Sequence, residues 1–199
     1  MVTSRFSRFA GVCGVLAGTF GLLYAVSFIV LQDDLLGGLF LMLGGLLATA
    51  VLTALFHRVR DVDPSLALWA LGLVIFAALG SVIHGGYDLA NAIHPPATPN
   101  TDLPNPIDPR GLLTFGVSGI GLFVMAWLIG RTAGLPKRLG TLGYGLAVLS
   151  VVLYLGRLIV LSPRNPLIFV PALLAGFVVY PLWYVWTGLV LWRGTSAGS

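Results

Sequence analysis

The sequence predicts an all-α membrane protein, a polytopic bundle of six transmembrane helices in a single domain that covers residues 1–199. Three observations predict this fold class. Hydrophobic residues make up 57% of the chain and charged residues only 9%, whereas soluble domains contain about 25% charged residues. Six apolar segments approach or exceed the length of about 20 residues that a bilayer crossing requires. Charged residues and prolines concentrate between these segments, so lipid is the expected solvent for most of the chain.

The predicted spans cover about residues 9–31, 35–56, 65–94, 110–129, 139–161 and 167–192. The first follows Arg5 and Arg8 and is longer than a signal-peptide core of about 7–15 residues, so we predict that it is not cleaved. Asp63-Pro64 and Asp108-Pro109 predict the starts of the third and fourth spans. In each pair the carboxylate can cap free N–H groups and the proline fits the first helical turn.

Two further features of the spans predict local structure. Gly14 and Gly18 in the first span have the GxxxG spacing that permits close helix packing in lipid. Pro171 and Pro181 interrupt the sixth span and predict a kink. The third span is expected to stop at Pro95-Pro96, and the proline-rich segment 95–109 that follows is expected to be a stiff, extended loop.

The distribution of basic residues predicts the orientation. Eight cations fall on the side of the N-terminus and three on the other side. The eight are Arg5, Arg8, Arg58, Arg60, Arg131, Lys137, Arg138 and Arg193, and the three are Arg110, Arg157 and Arg164. The positive-inside rule then predicts that both termini are cytoplasmic and that the proline-rich loop is outside. Because the net charge of +4 comes from segment ends, it indicates membrane orientation rather than a nucleic-acid partner.

A polar cluster marks the end of the third span. His84, Asp88 and Asn91 are spaced at i, i+4 and i+7 and share one helix face, with Tyr87 on an adjoining stripe. His84 lies roughly 27 Å along its helix, near the outer edge of a hydrocarbon core of about 30 Å. Arg157 is predicted at nearly the same level.

We therefore predict an outer pocket between spans three, four and five. Its candidate ligand-binding residues are His84, Tyr87, Asp88, Asn91, Arg110 and Arg157. Asp88 is expected to pair with Arg157 or Arg110, because an unpaired charge at this depth is costly.

Two interpretations of this cluster remain open. In one, His84 and Asp88 are candidate catalytic residues that transfer protons, or they bind a polar head group. In the other, Asp88 and its arginine only fasten helices together, while His84 and Asn91 form hydrogen bonds between helices. No metal or other cofactor is predicted. His84 and His94 are roughly 15 Å apart along one helix, and the chain has no glutamate and a single cysteine, Cys13.

Short segments resemble two enzyme families. The segment 115–119, Phe-Gly-Val-Ser-Gly, resembles the GxSG motif of rhomboid intramembrane proteases, which implies a nucleophilic Ser118. Rhomboids pair that serine with a histidine in span six, which contains none here, so His84 would have to serve. The pair His84 and Asp88 resembles the His-x-x-x-Glu of emopamil-binding sterol isomerases, a family that uses a second membrane acid.

A broader resemblance covers most of the chain. The segments 8–12, 83–91, 108–116 and 181–188 resemble those of uncharacterised bacterial six-span membrane proteins, a family with no known activity. They read RFAGV, IHGGYDLAN, DPRGLLTFG and PLWYVWTG. This resemblance implies a multi-pass protein of the bacterial inner membrane.

The leading functional hypothesis is a membrane protein that binds a lipid or small molecule in its outer pocket, or that serves as a subunit of a membrane assembly. Membrane lipid and a second copy of the chain are its possible partners. The alternative is an enzyme that acts on a lipid or isoprenoid-like substrate with His84 and Asp88 as the acid–base pair. A small transporter is the third hypothesis.

Overall fold

In a computed structural model, the described residues are 4–95, 111–160, 162 and 164–194. Within these ranges the chain forms helices and no strand. Six of the helical segments are long and apolar enough to cross a membrane, which confirms the predicted fold class. The chain is a multi-pass α-helical membrane protein.

The six spans are labelled α1 to α6, and three of them contain a wider π-helical segment. They are α1 (Ser4–Ala25, continued by π-helical Val26–Leu31), α2 (Asp34–Val59), α3 (Pro64–Ile93), α4 (π-helical Leu112–Val117 and then Ser118–Arg131), α5 (Lys137–Ile159) and α6 (Pro166–Leu173, π-helical Leu174–Val179 and Tyr180–Arg193). Their ends lie within a few residues of the predicted ones, except that α1 starts earlier, at Ser4.

Polar side chains before three spans set where those helices begin. Asp63 Oδ1 accepts a hydrogen bond from the backbone N–H of Leu66 at 2.9 Å, with Pro64 in the first turn, as predicted. Asp33 caps α2 in the same way, and Asn165 caps α6. The Asp108-Pro109 signal lies outside the described residues.

The spans pack side by side in chain order, and α6 packs against α1 to close a ring. Because six spans alternate in direction, both termini lie at one end of the bundle, which we call the terminal end. The opposite end, which carries the connections after α1, α3 and α5, is the loop end. Which end faces the cytoplasm remains a prediction from the charges.

Glycines bring α1 and α6 into close contact over the terminal half. A Cβ atom built on Gly14 would lie 2.7 Å from Gly188 Cα, and one built on Gly18 would lie 2.8 Å from the carbonyl oxygen of Pro181. No larger side chain fits at either position without a shift of the helices. The close packing face predicted from Gly14 and Gly18 is thus present.

Large apolar side chains fill the terminal half of the ring. Trp183, Leu55, Leu128, Leu139 and Leu191 are fully buried there, and they come from four different spans. At this end Arg131 also stacks on the ring of Trp127, with 3.7 Å between its guanidinium carbon and the ring centroid. The terminal half is therefore a packed core, and the open space of the bundle lies in the loop half.

The interruption of α6 lies between its two internal prolines. Pro181 has no N–H to donate, and its ring crowds the carbonyl group four residues earlier. The helix widens just before it, where the Tyr180 N–H bonds the carbonyl of Ala175, five residues back. The predicted disruption of this span therefore takes the form of a π-helical segment at Leu174–Val179.

Candidate functional site

A cavity of about 680 Å³ occupies the loop half of the ring and is lined by residues of all six spans. Its wall on α5 runs from Leu146 to Leu158, roughly 18 Å of helix at about 1.5 Å per residue. Leu52, Val74 and Leu122 lie at its deep end, next to the packed core. The cavity is therefore closed toward the terminal end of the bundle.

Small side chains create the space. Eleven lining residues are glycine or alanine, namely Gly21, Ala25, Gly44, Gly45, Ala48, Ala77, Ala78, Gly111, Ala172, Ala175 and Gly176. Gly111 lies just before α4, and the others lie on α1, α2, α3 and α6. Some of them also let helices approach closely, since a Cβ atom built on Gly45 would lie 2.7 Å from the carbonyl oxygen of Ala78, and one built on Gly176 would lie 2.8 Å from Ala25 Cβ. Leucine, isoleucine and phenylalanine side chains cover much of the rest. The body of the cavity is therefore mainly apolar, and the hydroxyl groups of Ser81, Ser118, Ser150, Tyr180 and Tyr184 are also among its lining.

Polar groups gather where the cavity meets the loop end. Arg157 lies in the last turn of α5, and Arg164 lies just before α6. Gln32, which follows α1, lines the same region, and no aspartate is among the described lining residues. The region that we call the mouth, formed by Gln32, Arg157 and Arg164, is therefore cationic, above an apolar body.

All three π-helical segments contribute to the cavity wall. Phe28 comes from the segment in α1, Thr114 and Phe115 from the one in α4, and Gly176 from the one in α6. π-helical turns within α-helices are rare and frequent at functional sites, because the extra residue per turn redirects side chains. Their concentration around one cavity supports a functional role for it.

The backbone at the mouth is also unusual. Gln32 adopts a left-handed conformation, with φ 54° and ψ 41°, and it is the single non-glycine residue with positive φ in the described chain. Such conformations cost roughly 1–3 kcal/mol for residues with a side chain and cluster at ligand sites. Here the strained residue is one whose side chain lines the cavity.

His84, the centre of the predicted cluster, lies behind the cavity wall. It is buried, with 7% of its surface exposed. Its Nε2 lies 3.5 Å from Asp88 Oδ2, and its Nδ1 lies 3.3 Å from Thr114 Oγ1. Thr114 itself lines the cavity, so the hydroxyl group connects His84 to the interior. A hydroxyl, an imidazole and a carboxylate thus follow one another from the cavity wall outward.

The remaining predicted pocket residues divide between the cavity and the outside. Arg157 lines the cavity, Tyr87 is 51% exposed, and Asn91 is half-buried. Arg110 lies outside the described residues. Of the described residues predicted for the pocket, Arg157 lines the cavity, which all six spans enclose, and His84, Tyr87, Asp88 and Asn91 do not.

The structure places one partner of Asp88. Its Oδ2 lies 3.5 Å from Nε2 of His84, which stands one turn earlier on the same helix. The expected pairing of Asp88 with Arg157 or Arg110 stays a prediction, since Arg110 lies outside the described residues.

The geometry does not favour Ser118 as the nucleophile that the resemblance to rhomboid proteases implies. Ser118 lines the cavity, but the hydroxyl that faces His84 belongs to Thr114, one turn earlier on α4. No group of three or more potential metal ligands occurs among the residues that the structure describes.

The cavity reaches the outer surface of the bundle between α1 and α6. Phe28 and Phe169 both line it, yet they are 54% and 43% exposed. Toward the terminal end α1 and α6 pack closely, whereas the first helix of α6, Pro166–Leu173, makes its main contacts with another span, α5. The two spans therefore pack less closely toward the loop end, and we call the region between the exposed rings of Phe28 and Phe169 the lateral slot.

Comparisons with family models, with curated proteins and with solved structures found no match.

Proposed function

We propose that this membrane protein binds a membrane lipid, or another amphiphile of similar length, in its central cavity. The observation that carries the proposal is a cavity of about 680 Å³ with an apolar body and a polar mouth. Ligand pockets typically measure about 300–1,000 Å³ and combine apolar walls with a few polar groups. The bacterial inner membrane is the proposed location, in line with the resemblance of the chain to bacterial six-span proteins.

Water is a poor occupant for such a space. A volume of this size corresponds to about 20 water molecules at about 30 Å³ each. Buried water needs polar partners, and the deep wall at Leu52, Val74 and Leu122 supplies none from its side chains. An acyl or isoprenoid chain satisfies these walls, because apolar contact is all that they can provide.

The lateral slot supports access from the bilayer. A lipid that moves between Phe28 and Phe169 keeps its chain in an apolar environment throughout. Its head group stays at the loop end, level with Arg157 and Arg164. No part of the ligand then has to cross the packed terminal half of the bundle, and this favours binding over transport through the protein.

A substitution that fills the cavity tests the proposal. Ser118→Phe places a ring in the cavity, whereas Ile120→Phe places the same ring on the lipid-facing side of α4, where Ile120 is 51% exposed. Both variants would be purified in a mild detergent, and the lipid that remains bound would be measured by native mass spectrometry. We expect Ser118→Phe to lose the bound lipid and Ile120→Phe to retain it. Equal retention in a folded Ser118→Phe protein would contradict the proposal.

A second candidate function is hydrolysis of a lipid ester, favoured by the order Thr114, His84, Asp88. If His84 keeps its proton on Nε2, where it donates a hydrogen bond to Asp88, the unprotonated Nδ1 can accept the Thr114 proton. The Thr114 oxygen then bonds the ester carbonyl carbon, and the bond to the alcohol breaks as that alcohol takes the proton from His84. Water next attacks the acyl-threonine with His84 as base, which releases the acid and restores the hydroxyl.

An activity-based probe tests this second candidate. A lipophilic β-lactone acylates activated hydroxyl nucleophiles, and the modified residue is located by mass spectrometry. Labelling at position 114 in the wild-type protein and in Thr114→Ser, with no labelling in His84→Gln, would support the enzymatic function. An unlabelled wild-type protein, or labelling that does not depend on His84, would leave the cluster as a connection between α3 and α4.

Self-association remains a further proposal. Large apolar side chains of α3, such as Leu68, Trp69 and Phe76, are more than half exposed and suit either lipid or a second copy of the chain. Native mass spectrometry in nanodiscs distinguishes monomers from oligomers directly. Partner subunits from other chains would co-purify under the same conditions.

A further inference from the structure

The mouth of the cavity indicates the chemical class of the ligand. We infer that the bound amphiphile carries an anionic head group, a phosphate or a carboxylate, which Arg157 and Arg164 hold at the loop end. This inference rests on the proposed lipid-binding function and specifies its ligand.

The charges at the mouth are the first argument. Arg157 and Arg164 come from opposite sides of the turn between α5 and α6, and both line the cavity. No described carboxylate lines it with them. Asp88, on α3, does not line the cavity, and its Oδ2 lies 3.5 Å from Nε2 of His84. The described lining therefore presents two cations and no carboxylate.

The chemistry of the guanidinium group is the second argument. It is always charged, and its planar set of N–H donors matches the oxygens of a carboxylate or phosphate in paired hydrogen bonds. Both arginines are exposed, so their guanidinium groups are accessible to a ligand. A head group with a net negative charge could pair with both arginines, whereas the cation of a zwitterionic head group would be repelled by them.

Neutral hydrogen-bonding groups complete the mouth. Tyr24 and Tyr154 bring hydroxyl groups from α1 and α5, and Gln32 brings an amide. These side chains can donate hydrogen bonds to the head-group oxygens that the arginines do not reach.

The apolar body of the cavity favours an amphiphile over a free anion as the ligand. Below the arginines the wall continues as Phe115, Leu122 and Ala78, which a small phosphate ion cannot use. A lipid satisfies both regions, with its head group at the arginines and its chain against the apolar wall. Free anions share the head-group chemistry but gain nothing from the rest of the cavity.

Lipid competition in nanodiscs tests the inference. The full-length protein would be reconstituted with equal amounts of phosphatidylglycerol and phosphatidylcholine that carry the same acyl chains, and the retained lipid would be identified by native mass spectrometry. We expect a preference of about tenfold or more for phosphatidylglycerol, because both lipids carry a phosphate but the choline cation beside it in phosphatidylcholine is repelled by the two arginines. Arg157→Gln and Arg164→Gln should each reduce that preference.

Control variants separate the head-group contact from general effects of charge. Arg60→Gln removes a cation at the terminal end, where Arg60 lies beside Asp61, and should keep the preference. Arg157→Lys keeps the charge and should retain part of the preference, even if Arg157→Gln fails to fold. Millimolar inorganic phosphate should not displace the lipid, and displacement would indicate a site for free anions instead.

The outcomes distinguish failure of this inference from failure of the proposed function. Equal retention of the two lipids by the wild-type protein, with loss of both in Ser118→Phe, would overturn the anionic head group and leave the lipid cavity intact. If the wild-type protein retains the two lipids equally and Ser118→Phe does not change this retention, both the anionic head group and the lipid cavity would be overturned. A preference that Arg157→Gln, Arg164→Gln and Arg60→Gln all leave unchanged would also overturn the assignment to the mouth.

Discussion

His84 Nδ1 lies 3.3 Å from the Thr114 hydroxyl oxygen, and this contact joins α3 to α4 across the wall of the cavity. The imidazole is buried, so each of its nitrogens needs a polar neighbour. Thr114 serves one nitrogen and Asp88 the other. The same arrangement would hold two helices together or prepare a hydroxyl group for chemistry, and stability measurements separate these roles.

Thr114→Val should destabilise the protein by about 1–3 kcal/mol, because it keeps the side-chain shape and leaves Nδ1 of His84 without its partner. Thr114→Ser keeps the hydroxyl group and should stay within about 1 kcal/mol of the wild type. Reversible unfolding in mixed micelles measures both. If Thr114→Val unfolds at the wild-type denaturant concentration, the contact does not stabilise the fold, and the chemical interpretation of the cluster gains support.

The seam between α1 and α6 predicts a contrast between two glycines. Gly188→Ala adds a Cβ atom that would lie 2.5 Å from the carbonyl oxygen of Gly11, so the helices must separate and stability should fall by about 1–3 kcal/mol. Gly72→Ala meets nothing within 4 Å and should be neutral or stabilising by up to about 1 kcal/mol. Thermal unfolding of the two variants checks this order. A Gly188→Ala protein as stable as Gly72→Ala would contradict the close seam.

The lateral slot predicts faster lipid exchange when its side chains are shortened. Phe28→Ala and Phe169→Ala should each speed the exchange of a fluorescent lipid between the protein and vesicles several-fold, because both rings stand between the cavity and the bilayer. Phe76→Ala is the matched control, since Phe76 is 63% exposed and does not line the cavity. Unchanged exchange in the two slot variants would exclude this route.

The orientation can be measured with single cysteines. In a Cys13→Ser background, Ser162→Cys lies at the loop end and Ala133→Cys at the terminal end, both in exposed turns. If the positive-inside rule holds, an impermeant maleimide labels Ser162→Cys in intact cells and labels Ala133→Cys only after lysis. The opposite labelling pattern would place the mouth of the cavity in the cytoplasm.

The spans could be predicted because their signals are local. Hydropathy and length identify each apolar helix, and an Asp-Pro pair fixes the start of α3 without reference to other parts of the chain. The contact between His84 and Asp88 follows from their spacing on a single helix.

The cavity could not be predicted because it depends on how six helices face one another. The sequence does not show which small residues face an open space, because all of them are equally compatible with close helix packing. Examples are Gly44, Gly45, Ala48, Ala77 and Ala78. The contribution of Thr114 depends on a π-helical turn that no residue pattern indicates. Arg164 stands in a turn between prolines, where a role in the mouth is visible only from the fold.

Photo-crosslinking tests the central claim, lipid bound inside the ring, most directly. A phospholipid with a diazirine at the end of its acyl chain would be activated in nanodiscs that contain the wild-type protein, and the modified residues would be mapped by mass spectrometry. The structure predicts adducts on deep cavity residues such as Leu122, Val74 and Leu146. Adducts confined to lipid-facing residues such as Ile120, Phe76 and Leu68 would contradict it.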